Sequence, residues 1–142
     1  MAEFEALLHS AQADDNAGLP ARALDEYRRA MALYAGDYLQ GVDAPWIVLS
    51  RLRLRSLAVN TCCRIAELTA AKGEPEEAAR WAATARRFDP LNERAGRLFV
   101  SALDAAGDRS AARDAVEELL ATLAAADLEP TPQTTRLVDR LR

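Results

Sequence analysis

The side chains in this 142-residue sequence that could do chemistry are one histidine, two adjacent cysteines, two pairs of neighbouring acids and a large set of arginines. None of them falls into a catalytic pattern. His9 has no nucleophile spaced to work with it, so a solvent-exposed or capping histidine is the expectation. Cys62 and Cys63 are too close in sequence to bridge readily, and no second cysteine pair completes a zinc site. A redox sensor needs an exposed, electropositive setting. Arg64 adjoins the pair, but the helical pattern packs at least one of the two thiols. Asp14-Asp15 and Glu117-Glu118 are spaced as neighbours, whereas a metal site needs ligands converging from several positions. Lys72-Gly73 runs in the wrong order for a phosphate-binding loop. The expectation is a non-enzymatic chain without cofactor or metal.

Arginine and tryptophan point instead to contact chemistry. Arg51, Arg53, Arg55 and Arg64 share one long helical stretch in which no acid occurs before Glu67. Arg51 and Arg55 lie one turn apart on the same face, while Arg53 points elsewhere. Such a stripe is either solvated and paired with acids of neighbouring helices or a contact for an acidic partner. Trp46 and Trp81 are candidate interface anchors whose competing role is packing. The candidate interface set is therefore Trp46, Arg51, Arg53 and Arg55.

The composition says what scaffold must carry these residues. The chain has 31 Ala and 20 Leu against 2 Ile and 6 Val, which favours helix and argues against any substantial sheet. Half of it is hydrophobic, enough for a core without disulfides or metal. A net charge of -4 makes nucleic-acid binding by this chain alone an unfavourable reading. Of the 18 basic residues all but Lys72 are Arg. The acidic N-terminus lacks the features of a secretory signal, no apolar run is long enough to span a bilayer, and the paired cysteines suit a reducing compartment, so a cytoplasmic protein is expected.

Helical periodicity runs over 4–17, 20–34, 43–72, 74–88, 91–106, 109–126 and 133–141. Gly18, Gly73 and Gly107 punctuate it, and the two glycines of 35–43 predict an irregular loop. Asp43 is a plausible N-cap for the long third helix, with Pro45 in its first turn. Aligning the segments on the three glycines exposes a repeat. Five residues beyond each stand Ala23, Ala78 and Ala112, and twelve beyond stand Ala30, Ala85 and Leu119. Small residues there let the helices of a hairpin approach closely. Gly73 and Gly107 are 34 residues apart, the period of the tetratricopeptide repeat (TPR), and Pro90 falls at that repeat's terminal proline. The first separation is longer by the 35–43 loop and the extra length of the third helix. The predicted fold is all-α: a TPR-like, right-handed array of helical hairpins with about seven helices, one irregular loop and an over-long third helix. Such arrays offer a concave surface to a peptide or protein.

Four segments in order give the whole chain a more specific likeness. They are Ala30-Met31-Ala32-Leu33-Tyr34-Ala35-Gly36-Asp37-Tyr38-Leu39, then Trp46 with Arg51, Leu52 and Leu57, then Asp89-Pro90-Leu91-Asn92-Glu93 after the Gly73 hairpin, and finally Leu128-Glu129-Pro130-Thr131-Pro132-Gln133-Thr134. Together they resemble the bacterial transcriptional activator domain, the TPR-like module of SARP-type regulators. Two positions depart from the pattern: Ala115-Val116 replaces a tyrosine, and Asp127-Leu128 replaces the glycine before the closing Glu-Pro. The second departure puts the last turn, not the fold, in question. The resemblance implies that residues 1–142 form a single module excised from a longer regulator, beside a winged helix-turn-helix that reads the promoter. Its partners would be proteins: a second copy in a homodimer, that neighbouring domain, or transcription machinery. The alternative is a free-standing TPR-like adaptor that binds a peptide or protein in its groove.

Overall fold

Left-handed residues and prolines cut the chain into seven helices and, among the described residues, no strand. A computed structural model describes residues 2–38 and 45–142, and no side chain between 35 and 50. In order the helices are α1 (Ala2–Asn16), α2 (Pro20–Tyr38), α3 (Pro45–Ala71), α4 (Pro75–Phe88), α5 (Glu93–Ala105), α6 (Arg109–Ala125) and α7 (Pro132–Leu141). The 27-residue α3 is the over-long third helix that the sequence predicts. The chain divides into two compact units, Met1–Thr61 and Cys62–Arg142, with α3 contributing residues to both.

Most helix boundaries fall within two residues of the sequence reading, and two of the differences have a clear local cause. Of the loop predicted over 35–43, residues 35–38 are helical, since α2 continues through Gly36 to Tyr38. One interior glycine costs a helix only about 1 kcal/mol relative to alanine, and neither proline nor a cap stops the chain there. The rest of that loop, with the Asp43 cap, lies outside the described residues. At the other boundary α5 starts at Glu93 and not near Leu91. Asn92 caps it by accepting the Ala95 N–H at 3.0 Å, and Asp89 accepts the Leu91 N–H at 3.2 Å, so Leu91 is left exposed in the preceding turn.

The glycine turns have the geometry that their alignment requires. Gly18, Gly73 and Gly107 have φ of 76°, 81° and 89°. In each, the N–H after the glycine reaches back to the carbonyl five residues earlier, and the glycine N–H to the carbonyl three earlier, which closes the helix end. Asp127 makes the same turn with φ 57°. Its N–H donates to the Ala124 carbonyl at 3.0 Å, and that of Leu128 to Leu123 at 2.9 Å. The missing glycine therefore leaves the last turn unaltered, with an aspartate in a conformation that disfavours a Cβ. Asp127→Gly should raise stability by about 0.5–1 kcal/mol. A urea melt showing no gain would mean that the aspartate adds an interaction that offsets its strain.

The aligned small residues form the core. Ala23, Ala78, Ala112, Ala30, Ala85 and Leu119 are all buried. In the first unit α1 packs on α2, and Phe4 meets Tyr34 with ring centroids 5.5 Å apart. In the second unit Ala66 of α3 joins Ala78 and Ala82 of α4 and Ala102 of α5, with Trp81 packed against them. Val100, Ala112, Ala115 and Val116 join Leu137, Val138 and Leu141 of α7, so Ala115-Val116 fills core space where the family pattern has a tyrosine. Leu119 fits because the residue facing it on α5 is Gly96. A Cβ built there would lie 2.8 Å from a Leu119 methyl.

Candidate functional site

Three helices of the second unit bring a charged groove together. Glu67 of α3, Arg94, Arg97, Leu98 and Ser101 of α5, and Gln133, Arg136, Leu137 and Arg140 of α7 line a cavity of ≈ 480 Å³. Helical spacing puts Arg94, Arg97, Leu98 and Ser101 on one face of α5, and Gln133, Arg136, Leu137 and Arg140 on one face of α7. The Glu67 carboxylate is already engaged: Arg94 donates to it at 2.6 Å and Arg64 at 3.3 Å. Arg97 donates to the Thr134 hydroxyl at 3.1 Å. Among the described residues, Arg136 and Arg140 form no ion pair.

The end of α7 that borders this groove is fixed by a carboxylate from another helix. Thr131, the N-cap residue, makes no capping bond with its own side chain. Glu93 of α5 takes that role, accepting the Thr131 N–H at 2.9 Å, the Thr131 hydroxyl at 3.2 Å and the Thr134 hydroxyl at 2.8 Å. Partial burial pushes the Glu93 carboxyl upward, but these hydrogen bonds and the nearby Arg97 outweigh it and hold the group below its ordinary value. A carboxylate at a helix N-terminus is also favoured by the helix dipole.

The candidate interface set of the sequence belongs to the first unit, where the structure describes Arg51, Arg53 and Arg55. Arg53 is exposed and forms an ion pair with Glu5 of α1. Arg51 is half-buried and has an interaction partner, and Arg55 is exposed. Trp46 lies within α3, with its side chain outside the described residues. Trp81 is half-buried against the α4–α5 core and donates to Glu77 at 3.4 Å. The acid pairs also find partners: Asp15 accepts from Tyr27 at 3.2 Å, and Glu118 pairs with Arg86, which lies 4.4 Å over the Phe99 ring. Burial pushes the Cys62 thiol up to about 12 and the Cys63 thiol up to about 11. Both are buried and free, so neither has the low-pKa, exposed setting of a reactive thiol. His9 is exposed. Among the described residues no group of three or more His, Cys, Asp or Glu is placed to hold a metal ion, and no helix is long and apolar enough to cross a membrane.

The family model for the bacterial transcriptional activator domain matches residues 1–142. The chain belongs to that family. A search of curated proteins returns no match. Among solved structures, the Sgt2 TPR domain from Aspergillus fumigatus is similar, with a TM-score of 0.68 and 19% identity over 99% of this chain and 78% of that one. At that identity the likeness concerns the fold, which is all-α and TPR-like. Bacterial transcriptional activator domains are parts of transcriptional regulators, and TPR-like modules of this kind serve regulation and protein contact.

Two of the segments that carry the family resemblance meet in space. Glu93 closes the Asp89–Glu93 segment, and Thr131 and Thr134 belong to the Leu128–Thr134 segment, so the Glu93 hydrogen bonds tie one to the other. The sequence marks these residues as motif members but reveals neither their capping role nor the groove beside them. A usable signal was present: α5 carries Arg94 and Arg97, α7 carries Arg136 and Arg140, and each pair sits on one helical face.

Proposed function

We propose that this bacterial transcriptional activator domain is the effector module of a longer regulator, working by protein contact and not by catalysis. Residues 1–142 would act in the cytoplasm as one module beside a winged helix-turn-helix domain that reads the promoter. Its contacts would be with that neighbouring domain, with transcription machinery or with a second copy of itself. The observation that carries this reading is the family match over the full 142 residues. A groove rich in arginine, in a chain whose net charge is -4, supports contact with protein more than with nucleic acid. Trp46, Arg51, Arg53 and Arg55 on α3 are a second candidate partner contact.

The test is a fusion of this chain to an unrelated DNA-binding domain, assayed on a promoter carrying that domain's operator. The expected result is a change in transcription that the DNA-binding domain alone does not produce. A folded, well-expressed fusion without effect would overturn the reading. Tight binding of DNA by the 142-residue chain alone would also count against it.

A further inference from the structure

We propose that the groove between α3, α5 and α7 binds an acidic segment of a partner protein, its carboxylates held by Arg97, Arg136 and Arg140 and its aliphatic side chains set on Leu98 and Leu137. This rests on the reading that the module works by protein contact, and it names the chemistry of the partner. Arg136 and Arg140 are one turn apart on α7, and like charges at that spacing repel each other. Among the described residues neither of them forms an ion pair, although Asp139 lies between them on the same helix. Glu67, the one acid of the lining, is engaged by Arg94 and Arg64. Arg97 directs one N–H to Thr134 and keeps further donors for a ligand. The groove thus carries a local positive surplus in an acidic chain, and all its cations are arginines, whose planar donor fork matches a carboxylate.

The rest of the geometry fits a peptide. Leu137 is buried at the base of the α7 face and Leu98 is half-buried on α5, so apolar surface lies between the cations. The Glu93 bonds to Thr131 and Thr134 fix the end of α7 next to Arg136, so the helix that carries the cations is anchored before binding. A long polyanion would have to extend beyond the groove along a chain whose net charge is -4, whereas a short segment would not.

The test is fluorescence anisotropy on the 142-residue chain at low salt. The probe is a labelled ten-residue peptide of Glu, Asp and Leu, set against its Gln and Asn counterpart and a single-stranded oligonucleotide. Saturable binding of the acidic peptide is expected, at least about tenfold tighter than the neutral one and weakening as salt rises. Arg136→Gln/Arg140→Gln should weaken it at least about tenfold while leaving the melting temperature in place. Arg29→Gln, which removes an exposed pair with Asp25 on α2, should leave binding unchanged. Equal binding of the neutral peptide, indifference to the double substitution, or tighter binding of the oligonucleotide would overturn the proposal. The same double substitution in the transcription fusion separates the two readings. An active fusion that ignores it overturns the groove alone, whereas an inert wild-type fusion overturns the effector reading whatever the peptide does.

Discussion

Glu93→Ala is expected to destabilise the protein by about 2–3 kcal/mol and to loosen α7 first. Hydrogen bonds to a charged acceptor contribute about 1.5–3 kcal/mol, and Glu93 accepts three from the first turn of α7. The loss is not larger because Arg97 still reaches the Thr134 hydroxyl and Thr131 is exposed enough for water to replace its lost partner. Glu93→Gln keeps an acceptor oxygen without the charge and should cost about half as much. The effect has a pH signature. The folded carboxyl is held below its ordinary value, so its contribution is complete above the unfolded pKa near 4.5 and is lost as pH falls through the folded one. The stability gap between wild type and Glu93→Ala should therefore be constant around neutrality and shrink in acid below that value. Urea melts across this range measure the gap, and a gap that persists undiminished at pH 3 would show that the carboxylate's charge is not what holds α7. Hydrogen exchange should find the α7 amides deprotected in the variant while α5 stays protected.

The contrast between Glu93 and the alanines shows what a single sequence can and cannot reveal. Ala23, Ala78 and Ala112 announce themselves because close packing repeats at a fixed distance from each turn glycine, and all three are buried where that pattern puts them. The turns are legible for the same reason, since only a few residue types tolerate φ near +80°. The site is different. Arg51, Arg53 and Arg55 attract notice because they are crowded in the sequence, yet one of them reaches Glu5 on another helix. Arg97 and Arg136, which share the groove, are separated by most of two helices and a proline-rich turn. The bond from Glu93 to Thr131 spans 38 residues. Local periodicity assigns each of these residues a helix face, but only tertiary packing decides which faces meet.

Leu119 tests the packing argument where the repeat departs from its own rule. Its register position holds alanine in the other two hairpins, Ala30 and Ala85, and the close-approach argument predicts a small residue. The volume is recovered across the interface, where Gly96 leaves no room for even a Cβ beside the Leu119 methyls. In the preceding hairpin the position equivalent to Gly96, eleven residues before the turn glycine, is Cys62, which stands in register with Ala85. Leu119→Ala should therefore cost about 2–5 kcal/mol, since a nearly fully buried leucine is truncated against a backbone that cannot collapse far. Gly96→Ala faces two opposed effects: helix propensity gains about 1 kcal/mol, while forcing the Leu119 side chain aside costs about 1–3. The net result is a loss of about 1 kcal/mol, with its size set by how tightly Leu119 is held. In the double variant the new methyl enters the space that Leu119 vacates, so the clash disappears and the propensity gain remains. The double-mutant cycle should then show an interaction of at least about 1 kcal/mol, with the pair less damaging than the sum of the singles. Additivity within about 0.5 kcal/mol would mean that the two positions do not share one volume and that α5 and α6 adjust independently around each.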